Sequence, residues 1–344
     1  MIYIGLDVHK GFSRMGGFDP ATGEVQDLGK LSNEREALAH RLGHLPSPKT
    51  VVLEAGRSSY YMASMLEEMA DQVWIVDPAE VRRLQHTISK TDRRDAAALA
   101  WWAAKGVLKP QWRPDAEIMD LRELTRGKTV LTRLSAQLQT MIRSLLARHG
   151  YECPHARLLS ERAQLWLDEV ELEGYAGEML AALRQVLAMA HRQADDFEKK
   201  VAAAAAAHPA AERLRTIPGL GPFLSLALAV EIGDVNRFPS STHLRGYSGL
   251  TPAVYQSGDT DARGPLTKTG NRWLRYAAVL AAQRIGQMRE PDPRLKRLFL
   301  SVAFRHGRNP GKIAVARRLL DLVYLLLKKG QDYRAPKPRA AATA

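Results

Sequence analysis

Four carboxylates in this sequence stand where carboxylates are out of place. Asp7 falls inside Ile2-Tyr-Ile-Gly-Leu-Asp7-Val, and Glu54 ends Val51-Val-Leu-Glu54. Both interrupt short apolar, β-branched runs that read as buried strands, from which Asp and Glu are depleted. A carboxylate isolated there would cost several kcal/mol or surrender its charge. Asp92 and Asp95 sit in Lys90-Thr-Asp92-Arg-Arg-Asp95, a spacing that presents both from one face of a helix. Hard divalent cations take oxygen ligands. Two Mg²⁺ ions about 3.5–4 Å apart (Mn²⁺ is the alternative) would stabilise the attacking and leaving oxygens of a phosphoryl transfer. The four acids therefore point to metal-dependent phosphoryl chemistry. Asp92 and Asp95 have a second reading, as favourable charges at the positive end of their helix, but it leaves Asp7 and Glu54 unexplained. His9 reads as a neighbour of the acids, and no His–Cys cluster suggests zinc.

Cations crowd the same stretch. Arg82, Arg83, Lys90, Arg93 and Arg94 either balance the carboxylates or hold a nucleic-acid backbone beside them. The whole chain is basic: 50 Lys+Arg against 37 Asp+Glu give a net charge of +13 over 344 residues. Such an excess fits a polyanionic partner, because Lys and Arg at phosphates release condensed counterions. Cys153 is the single cysteine, which precludes an internal disulfide and fits a reducing cytoplasm, in a nucleoid-associated protein. No secretory leader opens the sequence. The greasiest stretch, 319–327, carries Asp321 and is too short to span a bilayer.

The elements that must position the acids follow from the pattern. Residues 2–7, 12–18 and 24–30 read as strands, and 33–45 as a helix capped by Ser32 or Asn33. A strand at 51–54, a helix at 59–69, a strand at 73–76 and helices at 79–85 and 92–105 complete the region. That order predicts an α/β RNase H-like domain over residues 1–112. Residues 113–208 contain two long, charged, Leu- and Ala-rich segments without proline, 115–148 and 161–207. They predict extended helices, forming either an antiparallel or intermolecular coiled coil or a plain bundle. A mainly α-helical domain is expected over 209–331, with helices at 273–288 and 312–328, and a disordered tail over 332–344. It opens with Ile217-Pro-Gly219-Leu-Gly221-Pro. Gly-x-Gly between two helices reads as a helix–hairpin–helix whose N–H groups meet a DNA phosphate, or as a tight turn.

A second constellation fills residues 245–275, with Tyr247-Ser248-Gly-Leu-Thr-Pro, Gln256-Ser257-Gly258 and Lys268-Thr-Gly-Asn271-Arg272-Trp-Leu-Arg275. A serine hydroxyl is a weak nucleophile until a base or metal activates it. Ser257, in a polar segment rich in turn residues, is the first candidate and Ser248 the rival; Ser240 and Ser241 read as a helix cap. Lys268, Arg272 and Arg275 are candidate phosphate contacts.

Taken together and in this order, the acids, Ile-Pro-Gly-x-Gly, Gly249-Leu-x-Pro, Gln-Ser-Gly and Lys-x-Gly-Asn-x-x-Leu-Arg resemble the DEDD transposases of the Piv/MooV invertase type. These are the recombinases of insertion sequences that use a bridge RNA. The resemblance implies a RuvC-like domain, a coiled-coil dimerisation segment and a C-terminal transposase domain. It also implies a serine that bonds covalently to DNA while the four acids hold Mg²⁺. A noncoding bridge RNA would pair with target and donor DNA, and a homodimer would assemble into a tetramer. By motif, Asp7, Glu54, Asp92 and Asp95 take the acidic places and Ser257 the nucleophile's. One departure is Ala55-Gly-Arg after Glu54, where family members often carry Thr-Gly. The expectation is a site-specific DNA recombinase. The alternatives are a metal-dependent junction resolvase or nuclease using water, and a nucleic-acid-binding scaffold without activity.

Overall fold

The computed structural model describes residues 1–85, 92–257, 260–289 and 292–334, with backbone alone at 92–94, 254–257 and 260–263. The chain divides into two compact units, Met1–Arg113 and Pro114–Ala344.

The first unit is built on a five-stranded sheet. β1 (Ile2–Val8), β2 (Phe12–Asp19) and β3 (Glu24–Ser32) form an antiparallel meander. α1 (Arg35–Gly43) leads to β4 (Lys49–Glu54), and α2 (Ser59–Leu66) to β5 (Gln72–Val76). The order is β3-β2-β1-β4-β5, with β4 parallel to both β1 and β5. Alternation along each strand sorts the side chains onto two faces. Ile4 and Leu6 of β1, with Val51 and Leu53 of β4, meet α1 and α2 through Leu38, Leu42, Met62 and Leu66. Val52 and Val76 face the opposite way, onto α3 (Pro78–Gln85) and α4 (Asp92–Ala104), against Val81, Leu99 and Trp102. α4 rests directly on strand backbone, because Gly5 and Gly16 have no side chain beneath it.

The element order is the one the sequence predicts, but the cap of α1 is not. Asn33 turns away: its Nδ2 donates to the His9 carbonyl at 2.8 Å and its Oδ1 accepts from the Ser13 hydroxyl. That ties the end of β3 to the β1–β2 turn. The capping position falls to Glu34, whose side chain makes no cap bond.

In the second unit α5 (Ala116–Arg148) and α7 (Gly174–Ala207) run antiparallel. Gly127 meets Phe197, Lys128 pairs with Glu198 at 2.6 Å, and Leu138 and Ile142 join Leu183 and Leu187 in one cluster. The single helix expected over 161–207 is two. α6 (Glu161–Asp168) turns back so that Trp166 and Leu167 close the end of the α5–α7 pair. The break ends at Gly174, which takes a left-handed φ of 59° at the start of α7, and burial of Trp166 and Leu167 holds α6 in the turned-back position.

Six further helices enclose one apolar core: α8 (Pro209–Arg215), α9 (Pro222–Ile232), α10 (Ser241–Ser248), α11 (Arg272–Gln287), α12 (Pro293–His306) and α13 (Arg308–Lys329). α9 is buried throughout from Leu224 to Ile232. α13 begins earlier than residue 312 because Pro310 lies in its first turn, where a missing N–H leaves no bond unmade. Between α10 and α11 stands an antiparallel hairpin, β6 (Pro252–Ser257) with β7 (Thr260–Leu266). The sequence reading identifies no strand in this polar, turn-rich segment, but Val254 and Tyr255 are strand formers and the hairpin forms. The disordered tail expected over 332–344 does not begin at 332: Tyr333 donates its N–H to Thr216 Oγ1 at 2.8 Å and its hydroxyl to Asp292, while residues 335–344 lie outside the described residues. No described helix is long and apolar enough to cross a membrane.

Candidate active site

Asp7 and Glu54 come to neighbouring places on one face of the sheet. β1 and β4 pair from Ile2↔Lys49 to Leu6↔Leu53, and Asp7 and Glu54 are the next residue on each strand. Gly5 and Val52 lie on the α4 face. Alternation therefore puts Asp7 and Glu54, two residues on, over the same face. On its other side Glu54 pairs with Val76, which also packs towards α4. Adjacent strands run about 4.8 Å apart, so two half-buried carboxylates stand side by side at the C-terminal ends of parallel strands.

α4 brings the remaining acids. Asp95 precedes Ala96, the residue whose carbonyl meets Gly5. It is half-buried and borders a cavity of about 350 Å³ with Trp101 and Trp102. Asp92 is the first residue of α4, and its side chain is outside the described residues. Among the described side chains no group of three or more His, Cys, Asp or Glu is drawn tightly enough to hold an ion alone. Asp7 and Glu54 stand on the face that α4 covers and Asp95 is on α4 itself, and carboxylate oxygens are the donor type a hard divalent cation takes.

The acids have basic neighbours. His9 Nε2 lies 3.2 Å from Asp7 Oδ2, near enough for an ion pair but off hydrogen-bond geometry. The imidazole stacks on Phe12 with centroids 4.6 Å apart. Arg14 stands opposite Asp7 across the β1–β2 ladder and pairs with Asp27 at 3.3 Å. Sequence reasoning misses Arg14, although an antiparallel register from a short turn would have placed it. Arg82 and Arg83 are exposed on α3, each with its Nε bonded to a carbonyl of its own helix. Lys90 lies outside the described residues, as do the side chains of Arg93 and Arg94.

The second unit separates the candidate serines. Ser248 is fully buried: its hydroxyl donates to the Arg245 carbonyl at 2.7 Å and accepts from the Leu250 N–H at 3.3 Å. Ser257 is the last residue of β6, opposite Thr260 at the tip of the hairpin; Gly258 and the Ser257 side chain lie outside the described residues. Ser240 holds the capping position of α10, with its hydroxyl 2.9 Å from His243 Nδ1 instead of a backbone N–H. The hairpin is pinned where it leaves and rejoins the helices. A β-carbon on Gly249 would lie 2.1 Å from the Thr269 carbonyl, and Gly249 is left-handed at φ 67°. Arg275 Nη1 donates to the carbonyls of Ser248 (2.9 Å) and Thr269 (3.3 Å), so this arginine braces the foot of the hairpin. Lys268 and Arg272 are exposed beside it. In the α8–α9 turn only Gly219 takes a positive φ, 96°; Gly221 is the cap residue of α9 at φ −77°. A groove of about 680 Å³ borders that turn, with Arg215 and Arg284 on its wall.

One polar centre escapes the sequence reading. Glu231, buried in α9, accepts from Arg126 Nε and Nη2 at 2.8 and 2.9 Å and from Asn271 Nδ2 at 2.8 Å. Arg122 adds bonds to the carbonyls of Val230 and Glu231. Burial pulls the Arg126 guanidinium down, but its bond to Glu231 and that charge outweigh burial and hold it above its ordinary value. The available signal was the one used for Asp7: an acid inside an apolar run, Leu224 to Ile232.

Comparison with known proteins bears on both units. Residues 4–150 match the model of the DEDD transposases of the IS110 type, and 211–299 match that of the IS116/IS110/IS902 transposase family. The chain belongs to the IS110/IS116 family of transposases. The transposase is 26% identical to the transposase for insertion sequence element IS1111A of Coxiella burnetii, over 96% of this chain and 91% of that one. It is 24% identical to the transposase for insertion sequence element IS1328 of Yersinia enterocolitica, over 82% and 85%. The pilin gene-inverting protein of Moraxella bovis is 24% identical over 76% of this chain and 74% of its own. In this transposase the first matched region contains all four acids, and the second contains Ser257, Glu231 and Asn271.

Proposed function

We propose that this transposase is a site-specific DNA recombinase that cleaves and rejoins strands through a covalent bond between Ser257 and DNA. The N-terminal unit is read as an RNase H-like (RuvC-like) domain, supported by an antiparallel meander continued by two parallel strands in the order β3-β2-β1-β4-β5. The observation that carries the proposal is the register that sets Asp7 beside Glu54 on the face covered by α4. Asp7, Glu54, Asp92 and Asp95 would hold Mg²⁺, or Mn²⁺, and the bound ions would supply charge stabilisation at a scissile phosphate.

The chain's own residues account for the rest of the step. The Ser257 oxygen attacks phosphorus, a serine–phosphate ester forms, the bond from phosphorus to a deoxyribose oxygen breaks, and that oxygen leaves with a proton. Because one phosphodiester is exchanged for another, rejoining needs no outside energy source. The buried, doubly bonded hydroxyl of Ser248 favours Ser257 as the nucleophile. Lys268 and Arg272, exposed near the hairpin, and the exposed Arg82 and Arg83 are assigned to DNA phosphates, with Lys90, Arg93 and Arg94 completing the second group. The α8–α9 turn at Gly219 and Gly221 offers backbone N–H groups to the same backbone. A bridge RNA selects the two DNA partners. The α5–α7 pair serves dimerisation as a coiled coil, and dimers join as tetramers, since exchange requires four strand cleavages. Ser257 of one subunit works with the carboxylates of another.

The test is a denaturing gel for protein–DNA adduct, with Mg²⁺, element-end DNA and RNA transcribed from the flanking region. Wild type and Ser248→Ala form the adduct and Ser257→Ala does not. Strand cleavage by Ser257→Ala without adduct would instead make the protein a nuclease that uses water. Mixed Glu54→Ala and Ser257→Ala subunits recover activity if the two sites act across subunits.

A further inference from the structure

The turn joining α12 to α13 carries a surface that the carboxylate site and the hairpin do not use. From Pro293 to Leu320 the sequence has eight Lys and Arg and no Asp or Glu, against 50 and 37 in the whole chain. More than half of the net charge of +13 therefore sits in 28 residues. Two of these cations meet carboxylates just outside the stretch, Arg294 at Asp292 (3.3 Å) and Arg318 at Asp321 (3.8 Å), but those around the turn do not. Among the described residues Arg297, Arg305 and Arg308 have no carboxylate within ion-pair distance; Arg297 and Arg305 bond only to carbonyls of their own helix and, for Arg305, the Ser301 hydroxyl.

Apolar surface is exposed in the middle of these cations. α12 buries Leu295 and Phe299 against the core. On its opposite side Phe304 is 93% exposed and Leu300, one turn earlier, 54%. Arg297, Leu300 and Phe304 follow one another at helical spacing, with Arg305 and Arg308 at the end of the stripe. The support is rigid: Gly311 of α13 lies 3.2 Å, measured from a β-carbon, from the Ala303 side chain and the Phe299 carbonyl. Every residue from Phe304 to Pro310 is exposed.

We propose that the α12–α13 turn grips an unpaired stretch of polynucleotide, with a base stacked on Phe304 and flanking phosphates held by Arg297, Arg305 and Arg308. An exposed ring among cations matches a single strand, whose bases offer open π-faces, better than a duplex, whose bases are already stacked. A membrane surface would ask for a broad apolar face on an amphipathic helix, whereas here the inner face is committed to the core and the outer one offers two residues.

The test uses the full chain in EDTA, so that strand cleavage does not enter. Binding of fluorescein-labelled dT20, U20 and a 20-base-pair duplex, probe lengths of about 20 nucleotides that exceed the ~4–16 of one such site, is followed by anisotropy. Phe304→Ala weakens both single strands by between about 5- and 150-fold, the range for losing one stacked base, and leaves the duplex unchanged. Arg297→Gln/Arg305→Gln/Arg308→Gln lowers the slope of log K against log salt by about 2 for single strands. A preference of dT20 over U20, or the reverse, identifies which polynucleotide is held. Tyr61→Ala, at an exposed aromatic site on α2, is the control for surface truncation. The proposal is overturned if Phe304→Ala binds single strands as wild type does, if it weakens duplex binding equally, or if its loss appears instead on vesicles of anionic lipid. Phe304 touches too little to unfold the chain, and unchanged circular dichroism checks this.

Discussion

Gly5 of β1 and Ala96 of α4 meet backbone to backbone: a β-carbon on Gly5 would fall 1.8 Å from the Ala96 carbonyl oxygen. That distance cannot be relieved by rotating a side chain, so Gly5→Ala must lift α4 from the sheet. Overpacking of this kind typically costs about 1–3 kcal/mol. Since Asp7 follows Gly5 by two residues and Asp95 precedes Ala96, the same displacement separates the acids. Thermal unfolding of Gly5→Ala is expected at lower temperature, and DNA cleavage falls further than stability does. Native-like cleavage by Gly5→Ala would show that α4 does not set the acids' spacing.

Asp7 and Glu54 on adjacent strands make a site whose occupancy should register as stability. A ligand that binds only the folded state at 100 times its dissociation constant adds about 2.7 kcal/mol. Adding Mg²⁺ to the wild type therefore raises the melting temperature of the N-terminal unit, and chelation reverses the gain. In Asp7→Asn/Glu54→Gln the response to Mg²⁺ disappears. Equal stabilisation of both proteins by Mg²⁺ would remove these carboxylates from the metal site.

The acids of β1 and β4 were legible because a carboxylate in a β-branched run is costly anywhere in a fold, and the strand period then fixes its face. Helix spacing is what put Asp92 and Asp95 on one face in the sequence reading, and the structure places both residues on α4. What the pattern could not supply was contact between distant elements. Nothing local announces that Gly5 must lie under Ala96, that Asn33 leaves its helix to bond His9, or that Trp166 turns α6 back onto α5 and α7. The β6–β7 hairpin was hidden for a related reason, since its turn residues outnumber Val254 and Tyr255 while pairing with β7 decides the outcome.

Glu231 went unread although the rule applied to Asp7 also covers it, and it has a different fate. With Arg126, Arg122 and Asn271 it links α5, α9 and the start of α11. Removing one member of a buried, bonded pair leaves the other charge uncompensated, typically at about 3–5 kcal/mol. Glu231→Ala is expected to destabilise the second unit by that order in urea unfolding. Glu231→Ala combined with Arg126→Met should recover part of the loss, because the stranded cation is then absent. A double variant no more stable than the single one would deny the coupling.

The C-terminal end of the described chain is fastened by a pair whose titration reads out its docking. The Tyr333 hydroxyl donates to buried Asp292, which caps α12 through the N–H groups of Arg294 and Leu295, and the Tyr333 N–H donates to Thr216 Oγ1 at 2.8 Å. Burial, then the bond to Asp292 and that charge, push the Tyr333 hydroxyl up to about 12. Burial alone would raise Asp292, but the Tyr333 bond, the backbone N–H groups and Arg294 outweigh it and hold the carboxyl below its ordinary value. A phenol whose folded pKa is raised contributes stability fully below its unfolded pKa, near 10, and loses it as pH climbs through about 12. A carboxyl whose folded pKa is lowered contributes above its unfolded pKa and loses the contribution as pH falls through the depressed one. Tyr333→Phe should therefore be less stable than wild type by a constant margin from neutral pH to about 10, with the margin closing between pH 10 and 12. It should also close in acid, below the usual carboxylate range, as Asp292 takes up a proton. Denaturant midpoints for the two proteins across pH test this; a margin that persists at pH 12 would mean that Tyr333 stabilises the chain by packing and not through Asp292.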